Sequence, residues 1–389
     1  MSFLRLPFTV VGLAIAVNTV GCVRNKPESE HHGPTLVVGA ILSLSGGAAT
    51  YGQDADRGAR LALEQINAEG ENKLKVIYKP SDDKSSQTEA QKVATSLIDV
   101  EKVHVLLGPA ISPSALSVGK LAQERRVPIV ATSATQNEIT FSTDYDRTYV
   151  FRVCFSDDQQ ARLLAKFAVA SLQKRIAVVV YDKTLSYSVG LSKSFRDEYA
   201  RLGGTVAHEE NYSVKDTDYS ALIAKVADYD ADLLFIAGWD ENVGPMLKQA
   251  GKKWAKFTLL GADGWPTETL LRLSGGNTLS SYAVSHFAMR DTQRPMVQKF
   301  IEAFRAKYHE DPSPFAALGY DAMMLIFDAA IRSESLTPEH LRESIARTNG
   351  LELVTTESLR WDEHRNPIKA AYIVRINSSS ITFHEEVTP

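Results

Sequence analysis

The sequence predicts an α/β protein built as two doubly wound lobes. Three observations carry that expectation. From residue 35 onward, short apolar runs alternate with amphipathic stretches, the signature of βαβ units around a parallel sheet. That alternation runs once to about residue 131 and restarts near residue 156. The chain, at 389 residues, is also longer than one such sheet normally needs.

In the first series, Leu36-Val37-Val38-Gly39-Ala40-Ile41 is a continuous apolar run, as expected of a strand buried on both faces. Residues 57–68 place apolar side chains at 59, 61, 62, 63 and 66 and run into Glu69-Gly70, a helix with a glycine stop. Strands at 74–78, 103–107 and 129–131 and helices at 87–98 and 114–123 complete this series. The second series opens with a helix over 156–171. Ser156 and Gln159 have capping-box spacing, and Asp157 and Asp158 read as first-turn acids near the positive end of the helix dipole. Strands at 176–180, 206–211, 233–236 and 257–260 then alternate with helices at 190–201, 219–227 and 243–250. The tail carries helices over 295–308 and 314–332, a shorter one from Pro338, and short strands near 359–361 and 371–376. No linker-like stretch divides the series, so tightly coupled lobes are expected.

Composition narrows the function. Hydrophobic residues at 44% and charged residues at 23% describe an ordinary globular chain. A formal net charge of −4, with no basic run beyond pairs such as Lys252-Lys253, lacks the concentrated basic face that nucleic acid requires. The motifs of phosphate-binding loops, dinucleotide folds, serine hydrolases and zinc proteases are absent. His208, His286, His309, His340 and His364 are scattered through the chain. A binding protein rather than an enzyme is expected, with no cofactor and no metal.

Residues 1–21 read as an export signal. Arg5 precedes an apolar run over 6–17 that is too short for a permanent membrane helix. The segment ends in Thr19-Val20-Gly21-Cys22, which resembles a bacterial lipobox, with Thr19 departing from the usual Leu. Cys22 is therefore expected to carry lipid, the alternative being an ordinary signal peptide with an incidental cysteine, and polar residues 22–34 to form a tether. His31-His32 in that tether is a poor metal site. With Cys22 so used, Cys154 alone can form no disulfide framework or cysteine metal site, and it is expected to be a buried packing thiol.

Ligands of open α/β sheets bind beyond the carboxyl ends of strands. Those segments are Gly108 to Pro113, with Ser112 before a helix-starting Pro; Thr132-Ser133-Ala134-Thr135; the stretch holding Tyr187; Gly238-Trp239-Asp240; and Gly261-Ala262-Asp263-Gly264-Trp265. Ser112 suits an N-cap or a carboxylate contact at a helix N-terminus. Thr135 suits a cap or an anion contact. Asp263 suits a turn residue or an ammonium acceptor.

An ordered set of segments then points to a family. Leu42-Ser43-Leu44-Ser45-Gly46, Tyr51-Gly52-Gln53, Arg57-Gly58, Asn67-Ala68-Glu69-Gly70, Gly108-Pro109, Ser133-Ala134-Thr135, Asp182 and Gly319-Tyr320-Asp321-Ala322 resemble, in this order, the leucine/isoleucine/valine-binding protein family of type I periplasmic binding proteins. The resemblance spans about 35 to 376. It implies two lobes joined by a hinge of three crossovers, near 153–155, 284–286 and 370–372. The first lobe would be 35–153 and 286–370, the second 154–285 and 371–389. It also implies a free α-amino acid in the cleft, with a branched-chain or other apolar side chain. The ligand carboxylate would meet Ser112 and the backbone around Ser133, with Thr135 nearby. The ammonium would meet Thr135 and Asp263, where the branched-chain binders carry Glu. Tyr187 would close over the ligand, Trp239 stands where a Tyr is found, and Tyr51 lines the side-chain end. The implied partners are an ABC permease with its ATPase, and the chain is expected to be a monomer held to a membrane only by its lipid. A ligand-sensing receptor component and a binder of short amides or carboxylates are the competing expectations.

Overall fold

Strands whose residues are apolar on both faces must be covered on both faces, and the chain meets that demand twice. The computed structural model describes residues 1–2, 33–68, 74–144, 147–278, 281–290 and 294–388. The expected signal segment, Cys22 and most of the tether lie outside them. The unit Gly33–Pro389 carries the fold.

The first sheet comes from β1 (Thr35–Leu42), α1 (Ala49–Ala68), β2 (Lys75–Asp82), α2 (Gln87–Thr95), β3 (Val105–Leu107), α3 (Ser112–Arg125), β4 (Ile129–Ala131) and β5 (Val150–Arg152). Its order is β2-β1-β3-β4-β5, all parallel. Pro80, which has no N–H to give a ladder, sits in the edge strand β2, where one side needs none. The second sheet is fed by α4 (Asp157–Lys166), β6 (Ile176–Asp182), α5 (Ser186–Arg201), β7 (Thr205–Tyr212), α6 (Ser220–Ala227), β8 (Leu233–Ala237), α7 (Asp240–Ala250), β9 (Thr258–Gly261), α8 (Glu268–Ser274) and β10 (Ser281–Ser285). The chain then leaves it for α9 (Pro295–Tyr308), α10 (Pro314–Arg332), α11 (Pro338–Ala346) and the hairpin of β11 (Leu351–Leu353) and β12 (Thr356–Leu359). It returns as β13 (Ala371–Ile376) and β14 (Ile381–Val387). The second order is β14-β13-β10-β9-β8-β6-β7, with β13 and β14 antiparallel and the rest parallel.

Both parallel arrays therefore share one winding, with a switch point between β1 and β3 in the first and between β6 and β8 in the second. α10 lies across α1 with backbone nearly touching backbone. A Cβ on Gly58 would fall 1.9 Å from the Ala316 carbonyl oxygen, and one on Gly319 would fall 2.0 Å from that of Ala55. Glycine is obligatory at this crossing.

Several element boundaries differ from the expectation. α1 starts eight residues earlier than expected, at Ala49, because Ala48, Tyr51, Gly52 and Ala55 face the core. The helices expected over 87–98 and 156–171 end instead in π-helical turns, Ser96–Val100 and Phe167–Ser171. Ser156 does cap α4, accepting from Gln159 N at 3.3 Å, but the Gln159 amide donates to the Lys369 carbonyl and the reciprocal half of the box is not made. β5, β10, β11 and β14 were not expected.

Candidate functional site

The segments following β3, β4, β6, β8 and β9, together with the start of α1, meet at the switch points of the two sheets. They border a partly open cavity with about 270 Å³ of atom-free space, some of it continuous with solvent, lined by Tyr51, Ala110, Ile111, Ser112, Ser133, Tyr187, Trp239, Asp263, Gly264 and Phe315. Six of the seven residues expected to touch ligand border this one cavity. The seventh, Thr135, is buried and does not line it, and its hydroxyl makes no hydrogen bond of full geometry.

Ser112 is not an N-cap. It is the first residue of α3, Ile111 occupies the cap position, and the helix start carries no side-chain cap. The Ser112 hydroxyl accepts from Gln136 N at 3.2 Å, and the Ser133 hydroxyl donates to the Ala110 carbonyl at 2.8 Å. α5 and α7, which bring Tyr187 and Trp239, also begin without side-chain caps. Ser or Thr caps α4, α8, α10 and α11, while α6 and α9 also begin without a side-chain cap, so a bare helix start is not particular to this site. The uncapped start of α3 turns backbone N–H groups and a positive dipole end toward the cavity, whereas at α7 the Asp240 and Glu241 N–H groups already donate to the Tyr51 hydroxyl and to Asp240 Oδ1.

The turn-cap alternative for Asp263 does not hold. Its carboxylate accepts from the Tyr187 hydroxyl at 2.8 Å and lies 3.0 Å from His286 Nε2, while its own N–H donates to the Gln160 side chain at 2.9 Å. Asp263 is 3% exposed. His286, far from scattered, is part of this site and stacks on Phe155 at 3.7 Å. Burial pushes its pKa down to about 4, despite the neighbouring Asp263. The neutral ring then donates from Nε2 to Asp263, leaving Nδ1 as a bare acceptor with no partner. Burial, with Asp263 beside it, holds the Tyr187 hydroxyl well above its ordinary range. Two donors thus hold the Asp263 carboxylate while lone pairs remain for a further cation.

Asp157 is more than the first-turn acid its position predicts. It is fully buried beside Thr135, its N–H donates to the Thr135 carbonyl at 2.8 Å, and Gly190 of α5 passes close enough that a Cβ there would sit 3.2 Å from its carboxylate. Burial pushes its pKa well up, countered by the Thr135 hydroxyl. The buried Arg152 donates to the Ala134 carbonyl at 3.1 Å and the Thr140 hydroxyl at 3.0 Å, which fixes the loop carrying Ser133 and Thr135.

The other end of the cavity is aromatic. Tyr51 packs on Phe315 at 4.5 Å and edge-on to Trp239 at 6.3 Å. Nothing in the local sequence marks Phe315, because it starts a helix some 260 residues after Tyr51 and only the α1–α10 crossing brings it there. Among the described residues no group of His, Cys, Asp and Glu side chains forms a metal-binding cluster.

Comparison with known proteins gives a consistent result. Residues 35–380 match a family model described as periplasmic binding protein. A leucine-specific-binding protein of Salmonella typhimurium is 26% identical over 329 residues, covering 84% of this chain and 87% of that protein. The crystal structure of a leucine binding protein from Thermotoga maritima matches with a TM-score of 0.85 and 28% identity, covering 91% of this chain and 99% of that one. A branched-chain amino acid transporter substrate binding protein from Streptococcus pneumoniae, solved in complex with isoleucine, matches with a TM-score of 0.84 and 29% identity, covering 91% of this chain and 100% of that one.

Proposed function

Because the chain belongs to the periplasmic binding protein family, we propose that it captures a free α-amino acid with a branched-chain or other apolar side chain and delivers it to an ABC-type permease and its ATPase. The observation that carries this is one cavity that brings together a buried carboxylate, Asp263, the uncapped N-terminus of α3 and an aromatic end. A zwitterion loses its hydration when the cleft closes, so each of its charges needs a fixed partner. The ammonium meets Asp263, and Thr135 stands beside Asp157 next to that end of the site. The carboxylate meets Ser112 and the backbone around Ser133. Tyr187 closes over the ligand, and Tyr51 and Trp239 receive its side chain. The lobes are 35–153 with 286–370, and 154–285 with 371–389. Ligand bridges them, so it bonds the closed state better than the open one and shifts the equilibrium by that difference.

The site binds its ligand unchanged; it is not an enzyme's. The protein works in the periplasm as a monomer, anchored through lipid on Cys22 after removal of residues 1–21.

Isothermal titration of refolded protein against the amino acids, their amides and the matching 2-hydroxy acids tests the reading. One or a few apolar amino acids should bind with Kd of about 1 μM or tighter, near −8 kcal/mol. Equal binding of the 2-hydroxy acid, which has no ammonium, would overturn it.

A further inference from the structure

We propose that Asp240 and Tyr51 form the closing latch of the cleft, and that this latch ties lobe closure to the fit of the ligand side chain. The Tyr51 side chain comes from α1 and Asp240 opens α7, so the contact joins the two lobes. The Tyr51 hydroxyl donates to Asp240 Oδ1 at 2.8 Å and accepts from the Asp240 N–H at 3.1 Å; the Gly264 carbonyl, at 3.1 Å, is a second acceptor. A phenol has one hydrogen, and the nearer, charged acceptor takes it.

The second lobe holds Asp240 ready for this. Oδ1 also accepts from the Glu241 N–H at 2.9 Å, and Oδ2 accepts from the Thr267 hydroxyl at 2.6 Å. Thr267 is itself fixed, because it caps α8 through Leu270 N at 3.0 Å. Every one of these supports belongs to the second lobe, and Tyr51 is the first-lobe group that completes the set. Asp240 is almost fully buried in the closed protein, and burial pushes its carboxyl up to about 6 against the Thr267 and Tyr51 hydroxyls. A carboxylate buried with a partner missing is costly, so closure demands that Tyr51 arrive with its hydroxyl on Asp240. The same pose sets the Tyr51 ring between Phe315 and Trp239 as a cavity wall. A ligand side chain that displaces the ring therefore forfeits the latch as well as its own contacts. The neighbouring Thr50 and Thr269 hydroxyls, 3.1 Å apart, form a second crossing between the same regions.

The side-chain part of this inference rests on the amino-acid reading above. The test compares the parent chain with Tyr51→Phe, Asp240→Ala and the double variant, using L-leucine as probe, by calorimetry and stopped-flow dissociation. Tyr51→Phe keeps the ring and removes one oxygen. It should weaken L-leucine about 10- to 100-fold, since a hydrogen bond to a charged group contributes about 1.5–3 kcal/mol and 1.4 kcal/mol is tenfold. Most of the change should appear as faster dissociation, and the double variant should bind within about threefold of the weaker single. Binding of Tyr51→Phe within about twofold of the parent, or single effects that multiply in the double variant, overturns the latch. Should the parent bind no amino acid, the functional reading fails by itself. The latch is then judged by hydrogen exchange at the Asp240 amide of the ligand-free protein: faster exchange in Tyr51→Phe supports it and an equal rate overturns it.

Discussion

The Tyr187 hydroxyl sits 2.8 Å from Asp263 Oδ1, and the two residues come from the segments that follow β6 and β9 of one sheet. His286 reaches the other oxygen from the end of β10. A carboxylate this buried is tolerated because both oxygens have donors, and the arrangement makes its chemistry measurable.

His286 gives a pH dependence. Burial lowers its folded pKa to about 4, against about 6.5 unfolded. Between those values the unfolded state binds the proton and the folded state does not, so the protein loses stability as pH falls from 6.5 toward 4. At pH 5 this amounts to roughly 2 kcal/mol, at 1.36 kcal/mol per pKa unit. Asp54 and Asp240, both pushed up to about 6 by burial, act in the opposite sense. The comparison is therefore between the parent and His286→Gln in urea unfolding at pH 7 and pH 5. The variant should lose less stability over that interval, and an equal loss would contradict the assignment.

The α1–α10 crossing should be intolerant of one methyl group. Gly319→Ala drives a Cβ into the Ala55 carbonyl and should destabilise the fold by about 1–3 kcal/mol. Gly47→Ala, with nothing near its would-be Cβ, should change stability little. Equal melting temperatures for the two variants would contradict the close approach.

Cys154 should resist labelling. It is buried, its thiol faces the Ala134 carbonyl at 3.2 Å, and burial pushes it up to about 12. A thiolate is the reactive species, so a maleimide should modify Cys154 only at the rate of unfolding. Fast labelling of the folded protein would show the site to be open.

Cys22→Ser should shift the protein from the membrane fraction to the soluble periplasmic fraction. Unchanged membrane retention would remove the lipid anchor from the account.

The legible part of the site was whatever directly follows a strand. Ser112, Ser133, Tyr187, Trp239 and Asp263 were found because apolar runs mark strand ends and open sheets bind ligands there. His286 escaped because β10, Ser-Tyr-Ala-Val-Ser, has no continuous apolar run, although both serines are buried. Asp240 follows Trp239 beyond a strand end, but a first-turn acid on a helix carries no mark of the partner it will meet across a cleft. Asp157 was hidden by the same ordinary explanation. β14, whose exposure alternates along its length, read as tail because an edge strand in water needs little apolar surface. The early start of α1 and the placement of Phe315 depend on a helix crossing between distant segments, which local pattern does not encode.

Calorimetric titration of Asp263→Asn with the parent's cognate amino acid tests the central claim most directly. The amide keeps the size of the side chain and an acceptor for Tyr187, so the ligand-free melting temperature should move little. It cannot offset the lost hydration of an ammonium, and removing one partner of a desolvated charge pair costs about 2–5 kcal/mol. Affinity should therefore fall roughly thirtyfold to several-thousandfold. Binding within about threefold of the parent, a difference near 0.6 kcal/mol, would mean that the ligand is not an α-amino acid held by Asp263.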